Sequence, residues 1–369
     1  MEEERKSPLY LDRFRLSTKR DFKEIVLRNE QSDPKYGFVP ALRPIDIYLK
    51  YGFVPLDKPQ GPTSHEVVAW VRRILAVERA GHSGTLDPMV SGVLPIGLES
   101  ATKAISALLL GPKEYIAIAR IHDSVPQNIL ESTLGQFKGP IYQKPPQRSS
   151  VRRMTRTREI YEMDFVEKEG NLLLLRVLCE AGTYVRKLIY DLGEILQVGA
   201  TMVELRRTKV CDLGESDLVR LHDLFEANAQ LKESKDESKL RSVVKPIESS
   251  LPFLRRIKIR DSAIDSVCHG AQLAVPGLIA FSAGVEKGEL VCLVSGKGEL
   301  VALAESQMND SELQSIEHGI VAITRRVIMD AGTYPKMWKT RGNEDQTEGI
   351  GELMLKKSIL EGLEREDVA

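Results

Sequence analysis

The stretch GPTSHEVVAWVRRILAV has the spacing of an amphipathic helix. Pro62 suits the first turn, and Thr63 with Glu66 has the spacing of a capping box. We expect the helix to end before Gly81. Four apolar residues fall on one face of it: Val67, Trp70, Val71 and Ile74.

The apolar pattern after this helix changes irregularly between helical and strand spacing. It predicts a helix over 100–110, a strand at KEYIAIARI (113–121) and a short helix in NILESTLGQFKG. NLLLLRVLCEAG predicts a buried strand, and TYVRKLIYDLGEILQVG a helix that ends at a glycine. This order lacks the regular strand–helix alternation of a doubly wound fold, so we predict an α+β catalytic domain.

The polar stretch NAQLKESKDESKLRSVVK (228–245) predicts a domain linker or an exposed loop. Beyond it, short alternating segments are separated by glycines, which is typical of a small β-barrel-like domain. For the first fifty residues we predict an extended arm, whose fold depends on docking to another part of the protein. From Lys339 onward the chain predicts a charged, flexible tail.

The chain has 369 residues, which favours two folded units. We expect a soluble intracellular protein, because the sequence contains neither an apolar run of membrane-spanning length nor an N-terminal signal segment. The four cysteines are widely separated, so we expect no metal site.

The net charge of −1 conceals an uneven distribution. The segment 141–158 has six basic residues and no acidic one, which favours contact with a nucleic-acid backbone over a merely solvated surface. LRRTK (205–209) and LRRIKIR (254–260) repeat this basic character. The candidate RNA-binding residues in the first segment are Lys144, Arg148, Arg152 and Arg153.

Asp87 is the one acidic residue in AGHSGTLDPMVSGVLPIG (80–97). Pro88 disfavours helical backbone at Asp87, and the surrounding glycines permit sharp turns, so the carboxylate is held at a rigid turn. Rigid presentation suits a catalytic group. An aspartate that caps its own turn by bonding nearby amides would show the same pattern.

Three other side chains are candidates for this site. Arg186 follows a predicted strand and can pair with a carboxylate through two charge-assisted bonds, or with a surface acid such as Asp191. Tyr115 fits either a core position or a stack on an extruded base. His82 fits a base, a phosphate contact or a packed loop residue.

Phosphate-binding loops of nucleotide-dependent enzymes are missing from the sequence. GHSGTLDP has neither the spacing of a P-loop nor that of a dinucleotide fingerprint. No second carboxylate accompanies Asp87, as hydrolysis of a glycosidic bond would need. We therefore predict a reaction without a cofactor at one sugar or base centre.

Five segments, in order, resemble the signature blocks of the TruB/dyskerin family of RNA pseudouridine synthases. Two further segments, 33–52 before the first block and 139–161 between the third and the fourth, resemble the archaeal and eukaryotic branch, whose members are catalytic subunits of H/ACA guide-RNA particles. The five are LDKPQGPTSHEVVAWVRRIL, RAGHSGTLDPMVSGVLPIG, KEYIAIARIH, AGTYVRKLIYDLG and ELRRTKV.

The resemblance implies a division into an N-terminal extension docked on the PUA domain, a catalytic domain with a mixed, mainly antiparallel sheet, a PUA RNA-binding domain and the tail. The corresponding ranges are 1–50, 51–250, 251–338 and 339–369. The implied partners are an H/ACA guide RNA, ribosomal RNA and transfer RNA as substrates, and the particle's small proteins. No membrane contact is implied, and the location is cytoplasmic, or nucleolar in a eukaryote.

The resemblance also implies roles for the site residues. Asp87 matches the catalytic aspartate and Arg186 the arginine that pairs with it. Tyr115 matches the tyrosine that packs on the target base, Leu205 the leucine of the pocket wall, and His82 the histidine that holds the flipped nucleotide. In an apolar setting, Arg186 would oppose the desolvation of Asp87. The alternative is an inactive RNA-binding scaffold on the same fold.

Overall fold

The computed structural model describes residues 22–144 and 154–336. Within them the strands form a nine-stranded and a seven-stranded sheet. Both sheets are mixed but mainly antiparallel, and helices pack beside them, which confirms the predicted α+β class.

The nine-stranded sheet has the order β10-β2-β4-β9-β5-β8-β7-β6, and β3 pairs with β4 outside this path. β4 and β9 run parallel, whereas the other pairs are antiparallel. The predicted strands at 113–121 and in NLLLLRVLCEAG are confirmed as β5 and β8. The strands are β2 (Gly52–Lys58), β3 (Ala80–His82), β4 (Val90–Leu98), β5 (Lys113–Ile121), β6 (Gly139–Gln143), β7 (Arg156–Glu169), β8 (Leu172–Cys179), β9 (Ala200–Val210) and β10 (Lys245–Pro246).

Helices α1 to α4 accompany this sheet. The capping box is present at the start of α2, where Thr63 and Glu66 exchange hydrogen bonds. This confirms the first predicted helix, and α3 and α4 confirm two others. The bounds are α1 (Ile45–Lys50), α2 (Ser64–Leu75), α3 (Gln127–Gln136) and α4 (Val185–Ile195).

The predicted helix over 100–110 is wrong. The chain forms two short 3-10 segments there, Glu99–Lys103 and Ile105–Leu109. The buried alanines, Ala101, Ala104 and Ala107, recur every three residues. This period of three is that of a 3-10 helix, whereas the buried Ala101, Ala104, Ile105 and Leu108 also have the α-helical spacing on which the prediction rested.

The prediction of a linker or loop at 228–245 is also wrong. Most of this stretch belongs to α5 (Leu221–Ser234) and α6 (Ser238–Val243). Leu224 and Leu240 are buried in the cluster that also contains Val67 of α2. Between the two helices Lys235 has a left-handed backbone, with φ of 61°, which interrupts the helical period and hides it in the sequence.

The seven-stranded sheet forms most of the C-terminal part, in the order β1-β13-β11-β14-β15-β16-β12. Its edge strand β1 (Glu24–Val26) comes from the N-terminal region and pairs with β13. Helices α7 (Asp261–Cys268) and α8 (Asp310–Ser315) accompany it. The other strands are β11 (Arg256–Ile259), β12 (Leu273–Ala274), β13 (Leu278–Ser282), β14 (Leu290–Val294), β15 (Leu300–Ser306) and β16 (Ile320–Val327).

No helix in the described ranges is long and apolar enough to cross a bilayer. The predicted flexible tail, 339–369, lies outside the described residues.

Candidate active site

Asp87 lies in the loop 83–89 between β3 and β4, which we call the Asp87 loop. A tight turn follows the aspartate, in which the Val90 amide donates to the Asp87 carbonyl at 2.9 Å. The carboxylate itself points to solvent, and the side chain is 58% exposed. The turn is thus closed by main-chain bonding, and the carboxylate is left available for other partners.

Polar side chains of α2 and β2 bond the main chain of this loop. The Ser64 hydroxyl donates to the Leu86 carbonyl at 3.1 Å and accepts from the Leu86 amide at 3.0 Å. The buried Lys58 ammonium donates to the carbonyls of Pro88 at 3.0 Å and Val90 at 2.9 Å. Such bonds on both sides of Asp87 fix its backbone before any substrate binds.

Arg186 reaches Asp87 from the first turn of α4. Its guanidinium donates a hydrogen bond to the Asp87 carboxylate. Next to Arg186, the Tyr184 main chain is held by the buried Gln143 side chain, through bonds of 2.9 Å and 3.2 Å. The end of β6 therefore helps to position the helix turn that carries Arg186.

Leu205 lies on β9, which pairs with the strand that follows the Asp87 loop, and Tyr115 lies on β5, the next strand of the sheet. Leu205 is opposite both Val90 and Ala117 and is buried in the core cluster. Tyr115 is half-buried and packs against the same cluster. Burial raises the pKa of its phenol, although the positive charge of Arg207 opposes this effect. Tyr115 therefore remains protonated at neutral pH.

His82 ends β3, one residue before the Asp87 loop. Its ring meets the ring of His65 edge-on, with the centroids 5.3 Å apart. Burial lowers the His82 pKa, and His65 and Arg207 lower it further. His82 is therefore neutral at pH 7, and its buried Nδ1 atom has no hydrogen-bond partner among the described residues.

The Asp87 carboxylate does not have the expected apolar setting. Asp87 and Arg186 are both more than half exposed. The apolar residues near Asp87 have different environments: Leu86 is buried in the core, whereas Met89 faces solvent. Any desolvation of the carboxylate must come from a bound substrate.

The basic segment 141–158 connects β6 to β7, which pair in antiparallel register from Gly139 to Gln143. Lys144 is exposed at the end of β6, next to the highly exposed Tyr142. Arg148, Arg152 and Arg153 lie outside the described residues. The described ends of this segment thus belong to two paired strands.

Several arginines of LRRTK and LRRIKIR bond acceptors of the protein itself. Arg206 is paired with Asp57 and Glu215, and Arg207 is buried. Arg255 is paired with Glu289. These guanidiniums satisfy the protein's own acceptors, which a charge count cannot reveal.

Metal ligands do not cluster in the described part of the chain. No group of three or more His, Cys, Asp or Glu side chains there could hold an ion. The four cysteines are free thiols. The arrangement instead offers one exposed carboxylate, one arginine partner, a protonated tyrosine and a neutral histidine.

Four residues of the site carried little or no sequence signal: Lys58, Ser64, Gln143 and Arg207. Ser64 and Arg207 stand within recognised segments, but their contacts join parts of the chain that are distant in sequence. A buried hydrogen bond of this kind leaves no local spacing that could reveal it.

Comparison with known proteins shows to which family the chain belongs. The chain is 48% identical to a probable tRNA pseudouridine synthase B of Methanopyrus kandleri over 89% of its own length and 98% of that protein. The chain belongs to the TruB family of RNA pseudouridine synthases. A probable tRNA pseudouridine synthase B of Methanosarcina acetivorans is 50% identical over 83% of the chain and 91% of that protein.

Four family models match successive parts of the chain. They describe a DKCLD (NUC011) domain at 13–68, the N-terminal domain of TruB family pseudouridylate synthase at 72–185, the C-terminal domain of tRNA pseudouridylate synthase B at 186–252, and a PUA domain at 255–328. The two TruB-type matches thus cover eight of the nine strands of the larger sheet, since β2 lies in the DKCLD match, and the PUA domain covers most of the seven-stranded sheet.

Solved structures of the same family share the fold. An archaeal box H/ACA sRNP Nop10–Cbf5 complex matches with a TM-score of 0.78 and 43% identity, over 87% of this chain and all of that one. A Cbf5–Nop10–Gar1 complex matches with a TM-score of 0.81 and 43% identity, over 88% and 99% of the two chains. An H/ACA RNP bound to a substrate RNA containing 2′-deoxyuridine matches with a TM-score of 0.80 and 41% identity, over 86% and 98%.

Proposed function

We propose that this pseudouridine synthase modifies uridines in ribosomal RNA that an H/ACA guide RNA selects, and that the T-loop uridine of transfer RNA is a second substrate. The observation that carries this proposal is the contact of Arg186 with Asp87 on a loop fixed from below. The likeness to chains solved in H/ACA complexes supports the choice of a guided substrate.

The reaction breaks the bond between C1′ and N1 of a uridine and forms a bond between C1′ and C5. The C5 hydrogen leaves as a proton and N1 gains a proton, so that nothing is hydrolysed. Asp87 is the group that acts at the sugar, either as a nucleophile at C1′ or as the base that removes the C2′ proton while the C1′–N1 bond breaks to give a glycal. Arg186 orients the carboxylate and keeps it ionised.

The remaining pocket residues hold the base while it is detached. Tyr115 stacks on the uracil, Leu205 forms the wall beside it, and His82 holds the flipped nucleotide. Because Tyr115 is protonated and His82 is neutral, both contribute contacts without adding charge. Reaction at a site as open as this one requires that the RNA cover it and exclude water.

Two surfaces outside the pocket bind the RNA. Lys144, Arg148, Arg152 and Arg153 of the basic segment 141–158 contact the RNA backbone, and the PUA domain provides the second platform. Guide pairing reads the sequence, so the protein needs contacts to shape and backbone more than to base edges. Small proteins of the particle complete the complex, as Nop10 and Gar1 do for the related Cbf5 chains. No cofactor takes part.

We also propose the domain division 1–50, 51–250, 251–338 and 339–369. The pairing of β1 with β13 supports an N-terminal extension that docks on the PUA domain. We place the particle in the cytoplasm, since the named relatives are archaeal.

The test is reconstitution of the full chain with candidate guide RNAs and the small proteins, followed by tritium release from RNA labelled at uridine C5. We expect release only at a guide-matched uridine in ribosomal RNA, and release without a guide from transfer RNA. Asp87→Asn is expected to abolish release while RNA binding is retained. Release by Asp87→Asn at the wild-type rate would exclude the assigned chemistry, and a wild-type particle that binds RNA without release would favour the inactive scaffold.

A further inference from the structure

Arg207 is a buried cation beside the Asp87 loop, with no role in the function proposed above. It lies on β9, and its side chain is 1% exposed. Its neighbours Arg206 and Lys209 form ion pairs, whereas no carboxylate of the described residues pairs with Arg207. A buried guanidinium is costly unless its donors are bonded, so its partners must lie in the main chain.

The guanidinium of Arg207 joins two main-chain carbonyls. Nε donates to the Val93 carbonyl of β4 at 2.8 Å, and Nη2 donates to the Gly84 carbonyl of the Asp87 loop at 3.1 Å. One of these bonds precedes Asp87 in the chain and the other follows it. A single side chain therefore connects the start of the loop to the strand into which the loop leads.

The main chain of β9 is closely packed where it carries this side chain. Gly92 of β4 is opposite Arg207, and a Cβ atom on Gly92 would collide with the Arg207 carbonyl oxygen. The two strands can approach so closely because Gly92 has no side chain. On the same pair of strands, Leu205 is opposite Val90. Arg207 thus connects the Asp87 loop to the strand of the pocket wall.

The two halves of the Asp87 loop are held by different side chains. Ser64 and Lys58 bond the main chain from Leu86 onward. In the first half, which contains Gly84, Arg207 is the one side chain of the described residues that donates to the main chain. Gly84 has φ of 84°, a left-handed conformation that glycine adopts without a steric cost. Without Arg207, we expect the first half of the loop to shift while the second half stays bonded.

We propose that Arg207 is a positioning residue for the reaction at the sugar: it fixes the first half of the Asp87 loop to β9 and thereby sets the place of the Asp87 carboxylate relative to Leu205. It acts through the Gly84 carbonyl and not on the substrate. The inference rests on the proposed function in one respect, namely that Asp87 acts on a uridine whose base lies beside Leu205.

Two variants separate this role from a general effect on stability. Arg206→Met removes the neighbouring guanidinium, which pairs with Asp57 and Glu215 and makes no hydrogen bond to the Asp87 loop in the described structure. Arg43→Ala breaks a buried ion pair with Glu248, and both partners lie outside the loop. The first variant is the matched control for the loss of an arginine on β9, and the second is the control for a loss of stability.

The first test is single-turnover tritium release by the reconstituted particle, with RNA dissociation constants and thermal midpoints measured for each variant. We expect Arg207→Met to lower the rate about 100-fold, as for displacement of a group that must be aligned, with little change in RNA affinity. Arg206→Met and Arg43→Ala should keep the wild-type rate below their thermal midpoints. A folded Arg207→Met particle with the wild-type rate would overturn the proposal. An equal loss of rate in Arg43→Ala would do so too, because stability alone would then explain the effect.

A second measurement does not depend on activity. The full chain is labelled with carbon-13 at glycine carbonyls and nitrogen-15 at threonine amides, so that NMR detects the Gly–Thr steps, which are Gly84–Thr85, Gly182–Thr183 and Gly332–Thr333. Thr85→Ser removes the first signal and so assigns it. We expect Arg207→Met to shift the Gly84 signal and to leave the other two in place, and Arg206→Met to shift none of them.

An unmoved Gly84 signal in a folded Arg207 variant would overturn the proposal. If Arg207→Met does not fold, Arg207→Lys replaces it in both experiments, because an ammonium lacks the planar fork that bonds both carbonyls. An inactive wild-type particle, together with a shifted Gly84 signal in the variant, would refute the proposed function and still support the contact of Arg207 with the loop.

Discussion

The guanidinium of Arg186 donates to the carboxylate of Asp87 across 99 positions of sequence. Both side chains are more than half exposed, so this pair is accessible to a substrate. An exposed ion pair contributes little to folding. The contact therefore contributes more to the orientation of the Asp87 carboxylate than to the stability of the chain.

Arg186→Met should separate these two contributions. We expect the single-turnover rate to fall by about 10²-fold to 10³-fold, as for loss of a preorganised donor. The thermal midpoint should stay close to that of the wild type. Lys187→Met is the matched control, because Lys187 pairs with Asp191 on the same helix and not with Asp87. Equal rates for the two variants would contradict the role of Arg186.

Ser64→Ala tests whether the fixed Asp87 loop matters for turnover. The substitution leaves the amide and the carbonyl of Leu86 without their buried partner. We expect the free energy of unfolding to fall by about 2 kcal/mol, and kcat to fall more than KM rises. Denaturation and steady-state kinetics measure the two effects.

Thr63→Ala is the control for Ser64→Ala. It removes the cap of the same helix, at a cost of about 1 kcal/mol, but Thr63 contacts Glu66 and not the loop. We expect normal kcat for folded Thr63→Ala. A kcat loss as large as that of Ser64→Ala would show that helix stability, and not the loop, controls turnover.

His82 should titrate below its usual pKa of 6.5. Burial, the neighbouring His65 and Arg207 all disfavour the imidazolium. The unfolded chain then binds more protons than the folded one between the lowered pKa and 6.5. Stability is therefore lost as the pH falls below 6.5 and regained as it rises through this window.

Histidine NMR of the full chain measures this shift directly, with His82→Gln used to assign the signal. His65→Gln removes one of the two like charges and should move the His82 pKa upward. A wild-type His82 pKa at or above 6.5, or one that does not respond to His65→Gln, would contradict the prediction.

The sequence was informative where structure depends on neighbours along the chain. The capping box of Thr63 and Glu66 and the strand at 113–121 follow from short-range spacing, and both are present. The same spacing failed at 100–110, where the burial of every third residue depends on the surrounding chain. The buried positions 101, 104, 105 and 108 also have the spacing of an α-helix, so the apolar pattern alone does not separate the two helix types here.

For the site, the sequence indicated residue types but not the contacts between distant parts of the chain. The sequence pointed to Asp87 and Arg186 because an isolated carboxylate and a guanidinium are chemically conspicuous. Arg206 and Arg207 are identical in type and adjacent, yet one is ion-paired at the surface and the other is buried. Strand alternation predicts opposite faces for them, but only the folded sheet shows which face lies under the pocket.

Arg43 and Glu248 form a buried ion pair where the N-terminal region, the segment after β10 and strand β15 meet. The two side chains are 2% and 8% exposed and share two hydrogen bonds, of 2.7 Å and 3.1 Å. The same carboxylate accepts from the Leu300 amide at 2.8 Å. Removal of Arg43 would leave a buried carboxylate without its cation.

Arg43→Ala should therefore lower the free energy of unfolding by about 3–5 kcal/mol, the usual cost of breaking a buried pair from one side. The neutral double variant Arg43→Met/Glu248→Gln should recover part of this loss, because it leaves no unpaired charge and glutamine can still accept from Leu300. Urea denaturation followed by circular dichroism measures each variant. Lys50→Ala breaks a pair with Asp330 in which both side chains are 43% exposed, and it should cost no more than about 1 kcal/mol. If Arg43→Ala proved as mild as Lys50→Ala, the attachment of the N-terminal region would have to rest on the β1–β13 pairing instead.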